Sequence, residues 1–171
     1  MYYKTSYSSP VGQITLACDR SSLVGLWLEG QKYYGETISD VMTQKDDLAV
    51  LDAAKKWLDR YFDGKKPSFS ELSLAPIGGA FRQSVWSILC EIPYGKVTTY
   101  GDIAKKIAEK TNRKSMSAQA VGGAVGHNPI SIIIPCHRVV GAKGALTGYA
   151  GGVEIKAKLL TLEGVDMSAY A

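Results

Sequence analysis

A cysteine lies directly beside a histidine and an arginine in the stretch IIIPCHRVV, residues 132 to 140. The apolar run before it places Cys136 at the edge of the core, and His137 and Arg138 are side chains of the kind that stabilise a thiolate. An unperturbed thiol, with a pKa of ~8.5, is only a few per cent ionised at neutral pH, so a cysteine nucleophile needs such neighbours. The stretch predicts a nucleophilic Cys136, with His137 as its base if the chain turns here or a water bridges the two.

The other two cysteines, Cys18 and Cys90, are expected to be core residues, because burial is the most common environment of a free cysteine. Three cysteines at wide spacings, with no CxxC pair and only two histidines, indicate neither a disulfide framework nor a zinc site. No apolar run approaches the ~20 residues of a transmembrane helix, and the first residues lack the pattern of a signal peptide. We expect a soluble, cytoplasmic protein with reduced thiols, no bound metal and no membrane contact.

Two short helices are predicted upstream of the cysteine. Thr99 and Asp102 in VTTYGDIAKKIAEK resemble a capping box at the start of the first helix. Its buried stripe, recurring at helical spacing, is predicted to be Ile103, Ala104, Ile107 and Ala108. Ser117 is positioned to cap a second helix, AQAVGGAVG, which Asn128 and Pro129 end. Two short helices joined by a polar turn are a helix-turn-helix candidate.

The second of these helices contains only Ala and Gly apart from Gln119, Val121 and Val125. Its three glycines cost roughly 1 kcal/mol each relative to Ala, which suggests that something comes close to the helix backbone. One explanation is another helix packed tightly against it. The other is nucleic acid, because an ordinary helix is ~10–12 Å across whereas the minor groove of B-DNA is only ~6 Å wide. Base readout is poor in that groove, so such a protein would recognise shape or damage instead of sequence.

The positive charge of the protein is concentrated in its second half. Twenty Lys and Arg residues against sixteen Asp and Glu residues give a net charge of +4. Residues 105 to 114, KKIAEKTNRK, hold five cations and one anion, whereas residues 36 to 52 hold five acids and one lysine. A solvated helix face with a basic loop explains this run. Contact with a polyanion also explains it.

The first third of the chain is predicted to form a β hairpin, with strands at Gly12–Cys18 and Leu23–Leu28 around the turn DRSS. An amphipathic helix is predicted from Leu48 to Phe62. The stretch GKKPSFSELSLAPIGG has no sustained period and is bracketed by Pro and Gly, as a linker would be. We therefore divide the chain into an N-terminal α/β domain, 1–75, and a C-terminal domain, 76–171.

The string PCHRVVG at 135–141, with AVGGAVGHNP upstream and TGYAGG downstream, closely resembles the O6-alkylguanine-DNA alkyltransferases. PCHRV is the signature of that family, whose members repair alkylated guanine by transferring the alkyl group to their own cysteine. The match runs from Phe81 to Gly164, whereas residues 1 to 75 agree only in layout, a small sheet with a helix. Length and order resemble the single-function bacterial form.

The resemblance implies roles for residues of the active site. Cys136 would be the alkyl acceptor, His137 would take its proton through a water, and Glu163 would hold that histidine, as nucleophilic catalysis requires. Tyr100 would crowd the DNA phosphate and donate a hydrogen bond to the departing guanine, and Asn128 would join the recognition helix to the active-site segment. The guanine pocket would be formed by Tyr149, Ala150, Gly151 and Pro135. Without the resemblance, a core tyrosine, a helix-ending asparagine and an ordinary Gly-rich turn explain these residues.

The helix-turn-helix would hold a flipped nucleotide, because the target base must leave the stack to reach a thiol inside a protein. The family carries an arginine on the recognition helix that fills the vacated space, and this chain has Gln119 there. A glutamine is still able to hydrogen-bond to an unpaired cytosine. The residues predicted to contact DNA are Ser117, Ala118, Gln119, Ala120, Gly122, Gly123, Arg113 and Lys114.

The resemblance also implies the architecture, α/β with a small N-terminal three-stranded sheet domain that is ribonuclease H-like. The C-terminal domain would be helical, with a winged-helix-like DNA-binding unit. The implied activity is repair of double-stranded DNA carrying O6-alkylguanine, and also O4-methylthymine, by a monomer with no cofactor and no obligate protein partner. Attack at an alkyl carbon gives a thioether, which water does not cleave, so each molecule would act once.

Two other functions fit the same residues. A cysteine hydrolase would form an acyl intermediate that water cleaves and would turn over many times, although such enzymes usually place His far from Cys in sequence. A DNA-binding regulator with an incidental or redox-sensing cysteine would keep its DNA affinity without Cys136 and would prefer a sequence to a lesion. Turnover on activated esters and lesion preference distinguish these functions from alkyl transfer.

Overall fold

The computed structural model describes the whole chain, residues 1–171. The chain forms two compact units, Met1–Ile77 with Pro129–Ile133, and Gly78–Asn128 with Ile134–Ala171. The larger sheet lies in the first unit and most of the helices lie in the second, which confirms the predicted α/β class. The sequence predicted one boundary, between residues 75 and 76. In the structure Pro129–Ile133 also belong to the first unit, which a single boundary does not describe. None of the helices has the length and apolarity that crossing a bilayer requires.

Four strands form the sheet of the first unit, in the order β3-β2-β1-β4. Their bounds are β1 (Tyr2–Ser9), β2 (Gly12–Cys18), β3 (Leu23–Leu28) and β4 (Met42–Gln44). Strand β2 pairs antiparallel with β1 and β3, and Leu16 lies opposite Leu26, so the predicted hairpin is confirmed. The predicted count of three strands is wrong, because β4 pairs in parallel with β1 as a fourth strand. Three residues are too few to give the alternation by which a strand is predicted.

Helix α1 (Ala49–Phe62) packs against this sheet. Leu51, Ala54 and Leu58 lie at spacings of three and four residues and are fully buried, as the amphipathic pattern predicts. The indole of Trp57 donates a hydrogen bond to the carbonyl oxygen of Ser68 at 2.8 Å. This bond ties the chain that follows α1 back to the helix.

Four helices build the second unit: α2 (Ala80–Cys90), α3 (Tyr100–Lys110), α4 (Ala118–Gly126) and α5 (Val153–Leu162). Helices α2, α3 and α4 pack against one another. The predicted stripe of α3 is buried, at Ile103, Ala104, Ile107 and Ala108. Two-residue strands β5 (Thr98–Thr99) and β6 (Val139–Val140) pair in parallel. The residues that precede α3 therefore lie beside those that follow Cys136.

The predicted caps of α3 and α4 are present. Thr99 Oγ1 accepts a hydrogen bond from the Asp102 amide at 3.1 Å, and Ser117 Oγ accepts one from the Ala120 amide at 3.2 Å. Each bond satisfies one of the N–H groups that a helix start leaves without a partner in the helix. The sequence thus specifies where each helix of the pair begins.

Helix α4 is held to α2 through a buried hydrogen bond. Trp86 Nε1 donates to the carbonyl oxygen of Ala124 at 2.9 Å. Ala124 is buried, as are Val121 and Val125, whereas Gln119 on the first turn of α4 is exposed. The core therefore fixes one side of α4 and leaves another in solvent.

Candidate active site

A strained turn lies four residues before the cysteine. The Ile133 amide donates to the carbonyl oxygen of Ser131 at 2.8 Å, across Ile132, which has a φ of 71°. A three-residue turn with a positive φ at its centre is the rare and strained form of the γ-turn. Ile132 is buried and β-branched, and such residues seldom adopt a positive φ, so its surroundings must hold it there.

A second tight turn brings the chain to Cys136. The Cys136 amide donates to the carbonyl oxygen of Ile134 at 2.8 Å across Pro135, whose φ of −82° and ψ of 66° are those of the common inverse γ-turn. The same oxygen accepts a hydrogen bond from Asn128 Nδ2 at 2.8 Å. Asn128, two residues after the end of α4, and the Cys136 amide therefore donate to the same carbonyl oxygen. Cys136 then begins a 3-10 helix, Cys136–Arg138, and is 5% exposed.

His137 is fully buried and contacts a carboxylate that is distant in sequence. Its Nε2 lies 2.6 Å from Oε2 of Glu163, the residue that caps the C-terminus of α5. Burial lowers the pKa of His137, and the hydrogen bond and charge of Glu163 oppose this shift only in part. Its other ring nitrogen, Nδ1, is also buried. The imidazole is therefore neutral at neutral pH and is able to accept a proton.

Glu163 accepts hydrogen bonds from three further donors. Arg138 Nε lies 2.8 Å from Oε1 and Arg138 Nη2 lies 3.1 Å from Oε2, a two-pronged contact. The Gly95 amide donates to Oε1 at 3.1 Å. Burial by itself would raise the pKa of Glu163, but hydrogen bonds and charges from His137 and Arg138 outweigh it and hold that pKa well below its usual range. Arg138, expected from the sequence to stabilise a thiolate, is bonded to Glu163 instead.

Tyr100 and Lys156 meet at one backbone oxygen. The Tyr100 hydroxyl donates to the carbonyl oxygen of Thr147 at 3.2 Å, and Lys156 Nζ donates to the same oxygen at 2.9 Å. Burial, and then the nearby Cys136, raise the pKa of Tyr100 to about 12. The phenol is therefore protonated at neutral pH and acts as a donor.

Lys156 also belongs to this region, although it was not predicted from the sequence. It is fully buried, and burial lowers its pKa to about 8, while the nearby Cys136 acts in the opposite direction. The signal is present in VEIKAKLLTL, because Lys156 precedes the buried Leu159 and Leu160 by three and four residues and so shares their helix face. Lysine is almost never fully buried, so a lysine at this spacing is expected to be exposed and is not predicted as a core residue.

The loop predicted to close the guanine pocket lies beside Tyr100. Gly148 has a φ of +72°, and a Cβ there would lie 3.3 Å from the Tyr100 hydroxyl oxygen, so glycine permits both the turn and the close approach. Tyr149 is buried, and Ala150 and Gly151 are half-buried. The structure therefore brings this loop and Tyr100 together, with Pro135 directly before the cysteine.

The small residues of α4 leave an open surface. Ser117, Ala118, Gln119 and Ala120 are exposed, as is Gly123, and Gly122 is half-buried. A Cβ at Gly123 would meet no atom within 4 Å, and one at Gly122 would make only ordinary contact with Tyr100 at 3.9 Å. Tight packing inside the protein therefore does not explain the glycine at position 123.

The basic loop between α3 and α4 borders a groove. Arg113 and Lys114 are exposed and line a cavity of about 430 Å³ together with Lys105 and Ala118. Glu109 is the single acid among the lining residues. The surface beside the start of α4 is therefore positively charged, which suits a polyanion.

The remaining cysteines lie in environments that suppress reactivity. Cys18 is buried and Cys90 is half-buried, and all three cysteines are free thiols. Burial raises the pKa of Cys90 to about 11 and raises that of Cys18 as well. No group of three His, Cys, Asp or Glu side chains is placed to hold a metal ion.

Both parts of the chain match family models. Residues 1–76 match the ribonuclease-like domain of 6-O-methylguanine DNA methyltransferase, and residues 80–165 match its DNA binding domain. The resemblance inferred from PCHRV and its surroundings is therefore confirmed, and it extends over the N-terminal residues, where the sequence showed agreement only in layout.

Similar proteins match over nearly their whole length. A methylated-DNA-protein-cysteine methyltransferase of Haemophilus influenzae is 43% identical over 161 residues, which are 94% of this chain and 86% of that protein. One of Methanosarcina acetivorans is 45% identical over 165 residues, 96% of this chain and 99% of that protein. The crystal structure of Mycobacterium tuberculosis OGT in complex with DNA is 40% identical, with a TM-score of 0.81 over 95% of this chain and 91% of that chain.

Proposed function

The chain belongs to the 6-O-methylguanine DNA methyltransferase family, and from that premise we propose that it repairs DNA by moving an alkyl group from O6 of guanine to Cys136. The observation that carries this proposal is the buried contact between His137 Nε2 and Glu163 Oε2 at 2.6 Å. His137 directly follows Cys136 in the same 3-10 helix. A nucleophile needs a base and a group that orients the base. The pair supplies both.

The hydrogen bonds of Glu163 define the role of His137. Because Glu163 is an ionised carboxylate, it only accepts, so Nε2 of His137 carries the proton and Nδ1 carries the lone pair. We infer that His137 takes the proton of Cys136 through one water molecule. The product of this step is a thiolate beside a transiently charged imidazolium, which Glu163 stabilises.

The thiolate then attacks the alkyl carbon. A carbon–sulfur bond forms, the bond between that carbon and guanine O6 breaks, and its electron pair passes to the base. Tyr100 is protonated because its pKa is raised to about 12, and its hydroxyl turns from the carbonyl oxygen of Thr147 to donate a hydrogen bond to the departing guanine. The thioether product is not cleaved by water, so each molecule acts once. Larger alkyl groups at O6 and the methyl group of O4-methylthymine fit the same chemistry.

The open face of α4 is the proposed DNA surface. The exposed Ala and Gly side of this helix enters the minor groove, and the target nucleotide is flipped out of the stack. Gln119 occupies the gap, and Arg113 and Lys114 neutralise phosphates. The remaining groove contacts come from Ser117, Ala118, Ala120, Gly122 and Gly123. The pocket for the extruded base is formed by Tyr149, Ala150, Gly151 and Pro135, and Asn128 holds the cysteine-bearing turn.

The protein is proposed to act alone. Alkyl transfer to a cysteine needs no electron carrier or group carrier, so we infer that the protein works without a cofactor. One chain supplies Cys136, His137 and Glu163, which supports a monomer. Three free thiols are typical of a reducing compartment, which supports a cytoplasmic protein. DNA binding and alkyl acceptance are assigned to residues 76–171, and residues 1–75 form the N-terminal α/β domain.

Intact-mass spectrometry tests the proposal directly. The protein is incubated with duplex DNA that contains one O6-methylguanine, and the modified peptide is then mapped. We expect one methyl group per chain, on the peptide that carries Cys136. Cys136→Ser should abolish transfer and leave DNA binding nearly unchanged, since a hydroxyl has almost no anion at neutral pH.

Cys90→Ser is the matched control, because Cys90 is the other thiol in the C-terminal unit and should be dispensable. Methylation of Cys90, or no methylation at all, would overturn the assignment. More than one product molecule per chain on an activated ester would indicate a hydrolase. Preference for a sequence instead of a lesion would indicate a regulator.

A further inference from the structure

Glu163 lies at the centre of a buried charge cluster. Its carboxylate accepts two hydrogen bonds from Arg138, one from His137 and one from the Gly95 amide. The third arm of Arg138, Nη1, donates to the carbonyl oxygen of Ile92 at 2.7 Å. The guanidinium is therefore fixed on two sides in a plane that matches the carboxylate.

The balance of charge around His137 depends on Arg138. A buried carboxylate beside an imidazole favours the imidazolium, because opposite charges attract strongly where water is excluded. Burial of the imidazole opposes that effect, and the positive charge of Arg138 beside the carboxylate acts in the same direction as burial. The charged groups that face His137 are Glu163 and Lys156 from α5 and Arg138 from its own 3-10 helix, with Cys136 adjacent to it. Two cations thus oppose one anion.

We propose that Arg138 is a positioning residue that neutralises Glu163 and thereby keeps His137 an uncharged base with its proton on Nε2. This inference rests on the proposed function, since it concerns the base that activates Cys136. Arg138 acts through Glu163 and His137 and has no contact of its own with the alkyl group.

Loss of the guanidinium would put an extra proton on the pair of His137 and Glu163 at neutral pH. If the proton settles on Nδ1, the imidazolium has no lone pair for the Cys136 proton. If it settles on Glu163, the carboxylic acid donates to Nε2 and the imidazole proton moves to Nδ1. Either arrangement removes the acceptor at Nδ1, so activation fails until the pH is high enough to remove the extra proton.

Nuclear magnetic resonance of the unmodified site is the first test. The chain has two histidines, His127 and His137, so His127→Gln leaves a single imidazole to observe. Long-range proton–nitrogen spectra of the 15N-labelled protein distinguish the two neutral tautomers from the imidazolium. We expect the Nε2–H tautomer of His137 at pH 7 and pH 8, because burial lowers the pKa of His137 below its ordinary value of 6.5. An imidazolium or an Nδ1–H tautomer at pH 7 would overturn the proposal.

The pH–rate profile of Cys136 alkylation by free O6-benzylguanine is the second test, because a free base removes any effect of charge on DNA binding. We expect Arg138→Met to shift the midpoint of the acid limb to a higher pH, by about one pH unit or more, with the rate recovering at high pH. Arg138→Lys keeps the positive charge and should keep the midpoint of the wild-type profile. A purely structural role would lower the rate equally at every pH, and that result would contradict the proposal.

The two tests separate this inference from the proposed function. If the wild-type protein transfers no alkyl group to Cys136, the proposed function fails, while the tautomer spectra of proteins with Arg138 and with Arg138→Met, recorded side by side, still decide what Arg138 does. If transfer occurs but His137 titrates at or above its ordinary pKa, the proposed function stands and the inference about Arg138 is wrong. Should Arg138→Met fail to fold, Arg138→Gln, which removes the charge and keeps N–H donors, takes its place in both tests.

Discussion

Tyr100 and Lys156 donate hydrogen bonds to the same atom, the carbonyl oxygen of Thr147, at 3.2 Å and 2.9 Å. Lys156 Nζ also lies 6.0 Å from the centroid of the Tyr100 ring. Burial lowers the pKa of Lys156 to about 8, so most molecules carry a buried ammonium group at pH 7. The protein keeps this unfavourable charge where the loop before Tyr149 meets Tyr100, the proposed hydrogen-bond donor to guanine. We interpret Lys156 as an anchor of that loop.

Lys156→Met removes the buried charge and keeps the length of the side chain. We expect the free energy of unfolding at pH 7 to rise by on the order of 1 kcal/mol, because burying the ammonium group costs more than the lost hydrogen bond contributes. We expect alkyl transfer to slow, since Thr147 is then held by Tyr100 alone. Urea unfolding and single-turnover kinetics measure the two effects.

Lys158→Met is the control for this pair of effects, because Lys158 is exposed on the same helix. It should change neither stability nor rate appreciably. A destabilised Lys156→Met protein with an unchanged rate would contradict the interpretation of Lys156 as an anchor of the loop.

His137 makes the protein less stable in mild acid. Burial places the folded-state pKa of His137 below its ordinary value of 6.5, so the unfolded chain binds the proton first as the pH falls. Stability is therefore full above pH 6.5 and decreases below it, by about 1 kcal/mol per pH unit until the folded His137 also protonates. Urea unfolding between pH 7 and pH 5 should show this slope, and His137→Gln should flatten it.

His127→Gln is the control for the pH slope and should leave it in place. Glu163, whose pKa is held low, adds its own loss of stability only below its ordinary pKa of 4.5. A slope between pH 5 and pH 6.5 that survives in His137→Gln would show that another group titrates in this range.

Backbone strain at Ile132 should reverse the usual order of Ala and Gly. Both Ile132→Ala and Ile132→Gly remove a buried side chain, but only glycine adopts a φ of 71° without strain. Glycine is ordinarily less favourable than alanine by roughly 0.5–1 kcal/mol. Here we expect the glycine variant to be the more stable of the two by about 1 kcal/mol. Chemical denaturation of both variants gives the difference.

Ile134 offers the matched pair, since it is buried in the same segment and its φ is not positive. Ile134→Gly should be less stable than Ile134→Ala, in the usual order. If the two positions gave the same order, the turn at Ile132 would not be strained.

Local patterns account for the parts of the structure that the sequence predicts. Thr99 and Ser117 cap helices because a hydroxyl at that position satisfies an N–H group within three residues. Leu16 and Leu26 pair because alternation and a polar turn define a hairpin. The prediction of a nucleophilic Cys136 also rests on local sequence, the adjacent His137 and Arg138, and of these two Arg138 bonds to Glu163 instead.

Long-range contacts account for the parts that the sequence does not predict. Arg138 bonds to Glu163, 25 residues further along the chain, and no local rule indicates that this bond replaces a contact with the thiolate. Lys156 is buried against the preference of its residue type. The positive φ of Ile132 opposes local preference altogether, so only the packing around it selects that conformation.

At Gly123 a larger side chain should separate DNA binding from folding and chemistry. A Cβ at Gly123 would meet no atom within 4 Å, so Gly123→Leu fits the fold and should raise stability by about 0.5–1 kcal/mol through helix propensity. A leucine on this face cannot enter a groove ~6 Å wide, so we expect duplex binding to weaken about tenfold or more, ~1.4 kcal/mol. The rate with free O6-benzylguanine should stay unchanged, because the free base needs no groove. Ala53→Leu, which adds similar bulk to the exposed side of α1, should alter neither measurement. Equal losses with duplex DNA and with the free base would show that position 123 acts inside the protein and not on DNA.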